Sequence, residues 1–471
     1  MKRTYLYILI ALLAPFLSAC FKDKGNYDYI KLGEPVVSSL DTLYTVFTGD
    51  SLIISPTIVL PEGRTDLTCY WKIDIPEEAR SDDYQGPALK IVYGLGAKRY
   101  NALLIVRDNG TGMQYYYKFV ISGKTAFTTG TLVLTDEGGQ AKLSFVKPDG
   151  KVQSDLYPSI NGENIGTNPL QIIPLRNASY MNVNFAYWIV CGNTASPAVE
   201  INSDDLKRMK YLKENFYDPP GELLPSYFQR LVNGTTTAVM NEKLYVGTTE
   251  TAPFGTYYGY FSSPVPGNYN LAPDLVYAYT NDGAYYLGFD KVKKCFLRFD
   301  PTTYFGTEYI QEDSLFNPKN LKMDLLEMEK ITENEMYAFC DSSGQTYELK
   351  FGLDFLKGNS RFKTGYKRKF KGDSLLTAET KWQSSPVGTF YFTSNDKIYR
   401  YNPINQELRQ LEANFGGKQV TMIKMQEDGN KLVAGTEGSI YTLDISTGKY
   451  GNILSQVDGL PGKVVDVFVR Q

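Results

Sequence analysis

A phrase near the C-terminus, KLVAGTEGSIYTLDISTGKY at residues 431–450, constrains the fold more than any other stretch. It reads as strand, tight turn, strand, turn. A short apolar run over 432–434 meets a Gly-rich reversal at Gly435 and Gly438. An alternating strand carrying Ile440, Thr442 and Asp444 follows, and Thr447-Gly448 turns the chain again. The phrase recurs as TFYFTSNDKIYRYNPINQEL at 389–408 and as EMYAFCDSSGQTYELKF at 335–351. One hairpin cannot bury both of its faces, so a recurring hairpin implies stacked units that share a core.

Aligned on their second and third strands, the units begin near Thr131, Tyr187, Lys243, Tyr285, Glu335, Thr389 and Lys431. Their spacing, roughly 50 residues, is that of a four-stranded propeller blade rather than of a leucine-rich or helical repeat. Seven starts favour seven blades over six or eight. No second hairpin follows the strand KVVDVFVR at 463–470, and the first unit lacks an inner strand of its own. If the C-terminal strand becomes the innermost strand of the first blade, the ring closes and its edges are protected. Residues 130–471 are therefore expected to form a β-propeller. Within it, 203–215 (SDDLKRMKYLKEN) is the main helical candidate, with Ser203 as N-cap, and 251–272 is a candidate surface loop.

Upstream, residues 27–124 carry alternating strands at sandwich spacing: 43–47, 51–57, 68–74, 88–93, 101–107 and 113–122. Trp71 sits where a core tryptophan between two sheets is expected. This is an Ig- or PKD-like β-sandwich, and the whole chain reads as all-β, in keeping with 37 Tyr and 25 Phe among frequent Gly and Pro.

The first residues are of another kind. Lys2 and Arg3 precede an apolar stretch over 5–17, and Leu17-Ser18-Ala19-Cys20 places small residues before a cysteine. This resembles a bacterial lipobox: 1–19 a signal peptide cleaved before Cys20, whose thiol is lipidated, and 20–26 a tether. The apolar stretch is too short to span a bilayer. With a formal net charge of −3, nothing marks a nucleic-acid binder, and the basic run 366–371 (YKRKFK) reads as a solvated hairpin. Cys69, Cys191, Cys295 and Cys340 are scattered and read as buried thiols.

The chain has no histidine, which removes Ser-His-Asp and Cys-His catalysis and every histidine-based metal site. The cysteines lack zinc-ligand spacing, and no phosphate-binding loop occurs. Asp108-Asn109-Gly110 reads as a turn, as do the positions of Asp136, Asp341, Asp396 and Glu437. No catalytic residue, metal or cofactor is nominated. A pair of carboxylates suited to glycoside hydrolysis could lie among 52 acidic residues, but sequence singles out none. The aromatic cluster Tyr257, Tyr258, Tyr260 and Phe261 supplies the candidate ligand contacts, with Tyr285-Tyr286 and Tyr115-Tyr116-Tyr117 as further aromatic runs.

With the lipobox-like segment, GNYDY at 25–29, the Trp71 sandwich and the repeated hairpins assembled, the chain resembles the PKD-like family of Bacteroidota lipoproteins. The resemblance implies a lipid-anchored outer-membrane protein, commonly surface-exposed. It also implies a non-catalytic accessory to a SusC/SusD-type TonB-dependent importer, capturing or presenting oligosaccharide or peptide. In one respect the chain departs from the pattern: FKDKGN after Ala19-Cys20 holds a single acid, Asp23, rather than the acidic cluster of surface-export signals. The alternatives are a propeller-type polysaccharide hydrolase or lyase, and a structural or adhesive protein-binding lipoprotein.

Overall fold

The computed structural model describes residues 33–177, 183–192, 198–231, 236–248, 260–280, 283–332, 334–355, 360–426 and 429–470. Cys20 and the segments read as signal peptide and tether lie outside the described residues.

The first module is a sandwich built by strict alternation. Along Leu67–Ile75, the buried Cys69, Trp71, Ile73 and Ile75 alternate with the exposed Tyr70, Lys72 and Asp74. This strand is flanked by Arg99–Asp108 and Arg80–Gln85; Gln114–Lys124 and a parallel edge strand, Leu43–Phe47, complete a five-stranded sheet. Two ribbons, Val36–Ser38 with Thr57–Val59 and Ser51–Ile54 with Leu89–Val92, contribute Leu52, Ile54 and Leu89 to the same core. Trp71 is 1% exposed; its Nε1–H donates to the Gly86 carbonyl at 2.9 Å and its ring meets Phe119 edge-on.

Seven blades follow among the described residues. Blades two, four and six are simple four-stranded meanders beginning at Pro169–Asn177, Leu271–Thr280 and Trp382–Ser384. Blade five runs from Asp324–Thr332 to Arg361–Lys369 and gains Ile310–Glu312 as a parallel outer strand. Blade three holds Pro225–Arg230, Thr236–Met240 and Lys243–Val246. Its second strand is thus Thr236–Met240, and the unit start read at Lys243 falls on the third strand instead.

Blades one and seven share a six-stranded sheet, and this is where the ring closes. Segment Lys431–Asp444 folds back on itself, with the Ile445 N–H donating to the Asn430 carbonyl at 2.9 Å. The last segment, Asn452–Arg470, first pairs with the preceding hairpin (Ser439↔Asp458 through Asp444↔Asn452). It then crosses to pair antiparallel with Gly130–Glu137, from Asp136↔Lys463 to Gly130↔Arg470. The C-terminal strand is therefore the inner strand of blade one. It lies beside the inner strand of blade seven, Met422–Met425, on one side and that of blade two on the other.

Two glycines make the closure fit. Gly462, at φ +67, would place a Cβ 2.1 Å from the Asp136 carbonyl oxygen where the chain crosses between blades. Gly435 would place one 2.6 Å from Cβ of Val464. The reversal itself sits at Gly438, φ +79, so Gly435 is a close-approach residue within a strand rather than part of the turn.

The expected helix over 203–215 does not form. Arg208–Tyr211 is the outer strand of blade two, with Lys210 opposite Glu200, and Leu212–Asn215 is a single 3-10 turn. A helical charge pattern yields to a strand ladder with Ala198–Asn202. The α-helix among the described propeller residues is instead Leu156–Asn161, which buries Tyr157. All four described cysteines are free and buried. The carboxylates of Asp136 and Asp341 accept from the N–H groups of Gly139 and Gly344, as turn formers do.

Candidate functional site

The inner strands bring together residues that lie far apart in the chain. Asp466, on the closing strand, accepts from the Ile172 N–H of blade two at 2.8 Å, from the Val467 N–H at 2.8 Å and from Lys424 Nζ of blade seven at 2.7 Å. One carboxylate thus ties three adjacent inner strands, and each charge-assisted bond is stronger than a neutral one. Asp204 forms a second knot: it accepts from the Ala97 N–H of the sandwich at 2.8 Å and from Arg470 at 3.1 Å. Arg470 also donates to the carbonyls of Phe127 and Ser203. The sandwich is thereby fastened to the propeller next to the seam where the ring closes.

Between the two knots lies a cavity of about 540 Å³. Its apolar lining includes Pro174, Val433, Val467, Met425 and the ring of Phe468, and its polar lining includes Asn184, Gln426 and the cations Arg176, Lys424 and Arg470. Arg176 is oriented by its Nε–H, which donates to the Asn184 side chain at 2.7 Å. The volume is that of a small-molecule site, and a mix of apolar surface with a few fixed polar groups is what such sites use to hold and orient a ligand.

The opposite arc of the ring is acidic. Asp274, Glu327 and Glu329 stand on the inner strands of blades four and five, near Tyr227 of blade three. Each carboxyl is half-buried yet hemmed in by protein. Burial, reinforced by Glu329, pushes Asp274 up to about 7. Burial also brings Glu329 to about 7, although the Ser384 hydroxyl donates to it at 3.0 Å. Glu327 is raised by burial and by both neighbours. Among the described residues no three Asp, Glu or Cys side chains are grouped as metal ligands.

The aromatic candidates have other places. Tyr257 and Tyr258 lie outside the described residues. Phe261 is 1% exposed and packs with Phe216, Phe228 and Tyr245, so it serves the core of blade three rather than a ligand. Tyr260 is half-buried, with Lys210 Nζ 4.6 Å above its ring and Tyr217 alongside. Val265 and Tyr269, in the stretch read as a surface loop, are buried, as are Tyr285 and Tyr286. Tyr116 is exposed on the sandwich, and Tyr117 donates to the Pro35 carbonyl. In the basic run, Arg368 makes a bidentate pair with the buried Glu348, which also accepts from Tyr366 and Tyr401. That run is an outer strand of blade five held by a buried network.

The sequence profile of the PKD-like family matches residues 20–169, which span the sandwich and the first blade's own strands. No curated protein matches the chain. Among solved structures, a quinonprotein alcohol dehydrogenase-like protein from Bacteroides thetaiotaomicron is similar at 14% identity. The match covers 93% of this chain and 99% of that one, with a TM-score of 0.44. A putative 6-phosphogluconolactonase from Bacteroides fragilis is similar at 11% identity over 73% of this chain and 99% of that one, with a TM-score of 0.45.

Proposed function

We propose that this chain is a non-catalytic binding lipoprotein of the outer membrane, lipidated at Cys20 and facing the cell surface. In this reading it is an accessory to a SusC/SusD-type TonB-dependent importer, to which it presents oligosaccharide or peptide. The observation that carries the binding role is the cavity at the seam between sandwich and propeller, of mixed apolar and polar lining, with Lys424 and Arg470 fixed by the Asp466 and Asp204 knots. A lipid at Cys20, upstream of the sandwich, would leave the propeller as the part reaching away from the bilayer. The test is binding of the purified protein to panels of oligosaccharides and short peptides, alongside pull-down of the lipidated protein from detergent-solubilised membranes. Specific ligands and a co-purifying transporter are expected. Absence of both would overturn the proposal.

One observation favours a second reading, a polysaccharide hydrolase or lyase. Asp274 and Glu329, with pKa values brought to about 7, are poised for acid–base exchange near neutrality. Turnover of a polysaccharide that is lost in both Asp274→Asn and Glu329→Gln would establish it. Lack of turnover across a broad polysaccharide panel would remove it.

A further inference from the structure

The sandwich turns one face of its five-stranded sheet to solvent, and the strand ladder orders that face into rows. On Leu67–Ile75, opposite the buried Cys69, Trp71 and Ile73, the outward residues include Tyr70 and Lys72. Tyr70 pairs with Ile105 and Ile105 with Tyr116, so an aromatic–aliphatic row crosses three strands. In the row nearer the propeller, Lys72 pairs with Leu103 and Leu103 with Lys118; in the row beyond, Arg107 pairs with Gln114. Tyr116 is 57% and Tyr70 36% exposed, Ile105 and Leu103 are half-buried, and the three cations are exposed. Among the described residues none of Lys72, Lys118 and Arg107 is in an ion pair. These rows hold one carboxylate, Asp83, across the ladder from Lys72. The face is therefore aromatic at its centre and positive on both sides.

Its position is as informative as its chemistry. Tyr116 stands eight residues before Lys124, the end of the strand that leads to the propeller, a span of about 26 Å. At this remote end the described chain begins: the carbonyls of Gly33 and Pro35 accept from Tyr115 at 3.5 Å and from Tyr117 at 3.1 Å, the two neighbours of Tyr116. Cys20 is 13 positions upstream of Gly33, a reach of at most about 45 Å. Met113, 42% exposed, immediately precedes the same strand. Tyrosine joins an apolar ring to a polar tip, and lysine and arginine carry charged heads on apolar stems, so both suit the boundary between headgroups and acyl chains. We propose that this face is a membrane-docking surface that lies on the phosphate-bearing headgroups of the bilayer. Tyr70, Tyr116 and Met113 enter the headgroup layer, while Lys72, Lys118 and Arg107 meet lipid phosphates. The inference builds on the anchoring proposed above and adds a second contact, which fixes how the anchored chain stands and turns its propeller outward.

The test separates the face from the anchor. The four described cysteines are buried, so a maleimide-bearing lipid attaches at Cys20 of the chain from residue 20 onward, which keeps every described residue. The chain is then held on vesicles of brominated phosphatidylcholine with a minority of phosphatidylglycerol, and quenching of tryptophan fluorescence reads contact with lipid. Tyr116→Trp is expected to be quenched, and Ile404→Trp, at a propeller position 79% exposed, is expected to match the parent chain. A lysine at an anionic surface favours docking about fivefold, so Lys72→Gln with Lys118→Gln should shift the equilibrium roughly 30-fold and remove the quenching at 116. All of these positions are exposed, so the variants keep the fold. An unquenched Tyr116→Trp overturns the proposal and gives the face to a protein or glycan partner. Equal quenching at 116 and 404 overturns the orientation, and quenching indifferent to both lysines overturns the role of the cations. The lipid state of Cys20 in native membranes decides the anchoring separately.

Discussion

Phe468→Ala is the most economical test of the ring closure. Phe468 lies on the closing strand, is 9% exposed and packs 5.2 Å from the ring of Tyr187 in blade two. Its neighbour Val467 faces the other way, into the core between blades one and seven. The side chain therefore seals the interface between blades one and two from a strand supplied by the far end of the chain. Truncating a buried Phe to Ala costs about 3–5 kcal/mol, the transfer loss plus the cavity left behind. Against a typical total stability of roughly 5–15 kcal/mol, this is a large fraction. Urea unfolding followed by tryptophan fluorescence should show the midpoint falling by an amount equivalent to about 3 kcal/mol or more. Leu454→Ala, on the same segment before the crossing and 54% exposed, should stay within about 0.5 kcal/mol of the parent protein. A Phe468→Ala protein as stable as Leu454→Ala would refute the closing strand.

Three further outcomes follow from buried charge. Glu200 is 5% exposed, and burial raises it to about 7 despite Lys210 opposite. Its folded form therefore holds a proton that the unfolded chain releases near 4.5, so stability falls as pH rises from about 4.5 to about 7 and is level above that. Glu200→Gln should remove this slope and gain about 3 kcal/mol at pH 8, read from melts across pH. Asp274 and Glu329 are raised in the same sense, so the double variant Asp274→Asn, Glu329→Gln should raise the melting temperature at pH 8 and leave it little changed near pH 4. Arg368→Met strips the bidentate partner from the fully buried Glu348 and should cost about 3–5 kcal/mol by urea titration, part of which Glu348→Gln in the same chain should restore.

Much of the architecture is legible from local pattern. The strand around Trp71 alternates so cleanly that its inward face is readable, and the lone strand after the last hairpin announces its pairing with the first blade. In blade three the register is misread because the apolar run taken for the second strand, Lys243–Val246, is the third, and the second is Thr236–Met240. The helix over 203–215 is misread because charged, helix-favouring residues form an edge strand when a neighbouring strand offers a ladder. Phe261, Tyr285 and Tyr286 illustrate a general limit: composition identifies aromatic residues, and only packing decides whether a ring faces a core or a ligand. The seam cavity left no local trace at all. Arg176, Lys424 and Arg470 come from three blades and share no motif, and Asp204, which fastens the sandwich to the ring, sat in the segment read as helix.

The central claim, an anchored binding protein working beside an importer, is tested most directly by purifying the tagged, full-length chain from native membranes and identifying by mass spectrometry what accompanies it. The account predicts a diacyl- or triacyl-modified Cys20 peptide together with a TonB-dependent transporter and its SusD-type partner in stoichiometric amounts. A protein recovered without lipid on Cys20 and without any transporter would contradict it.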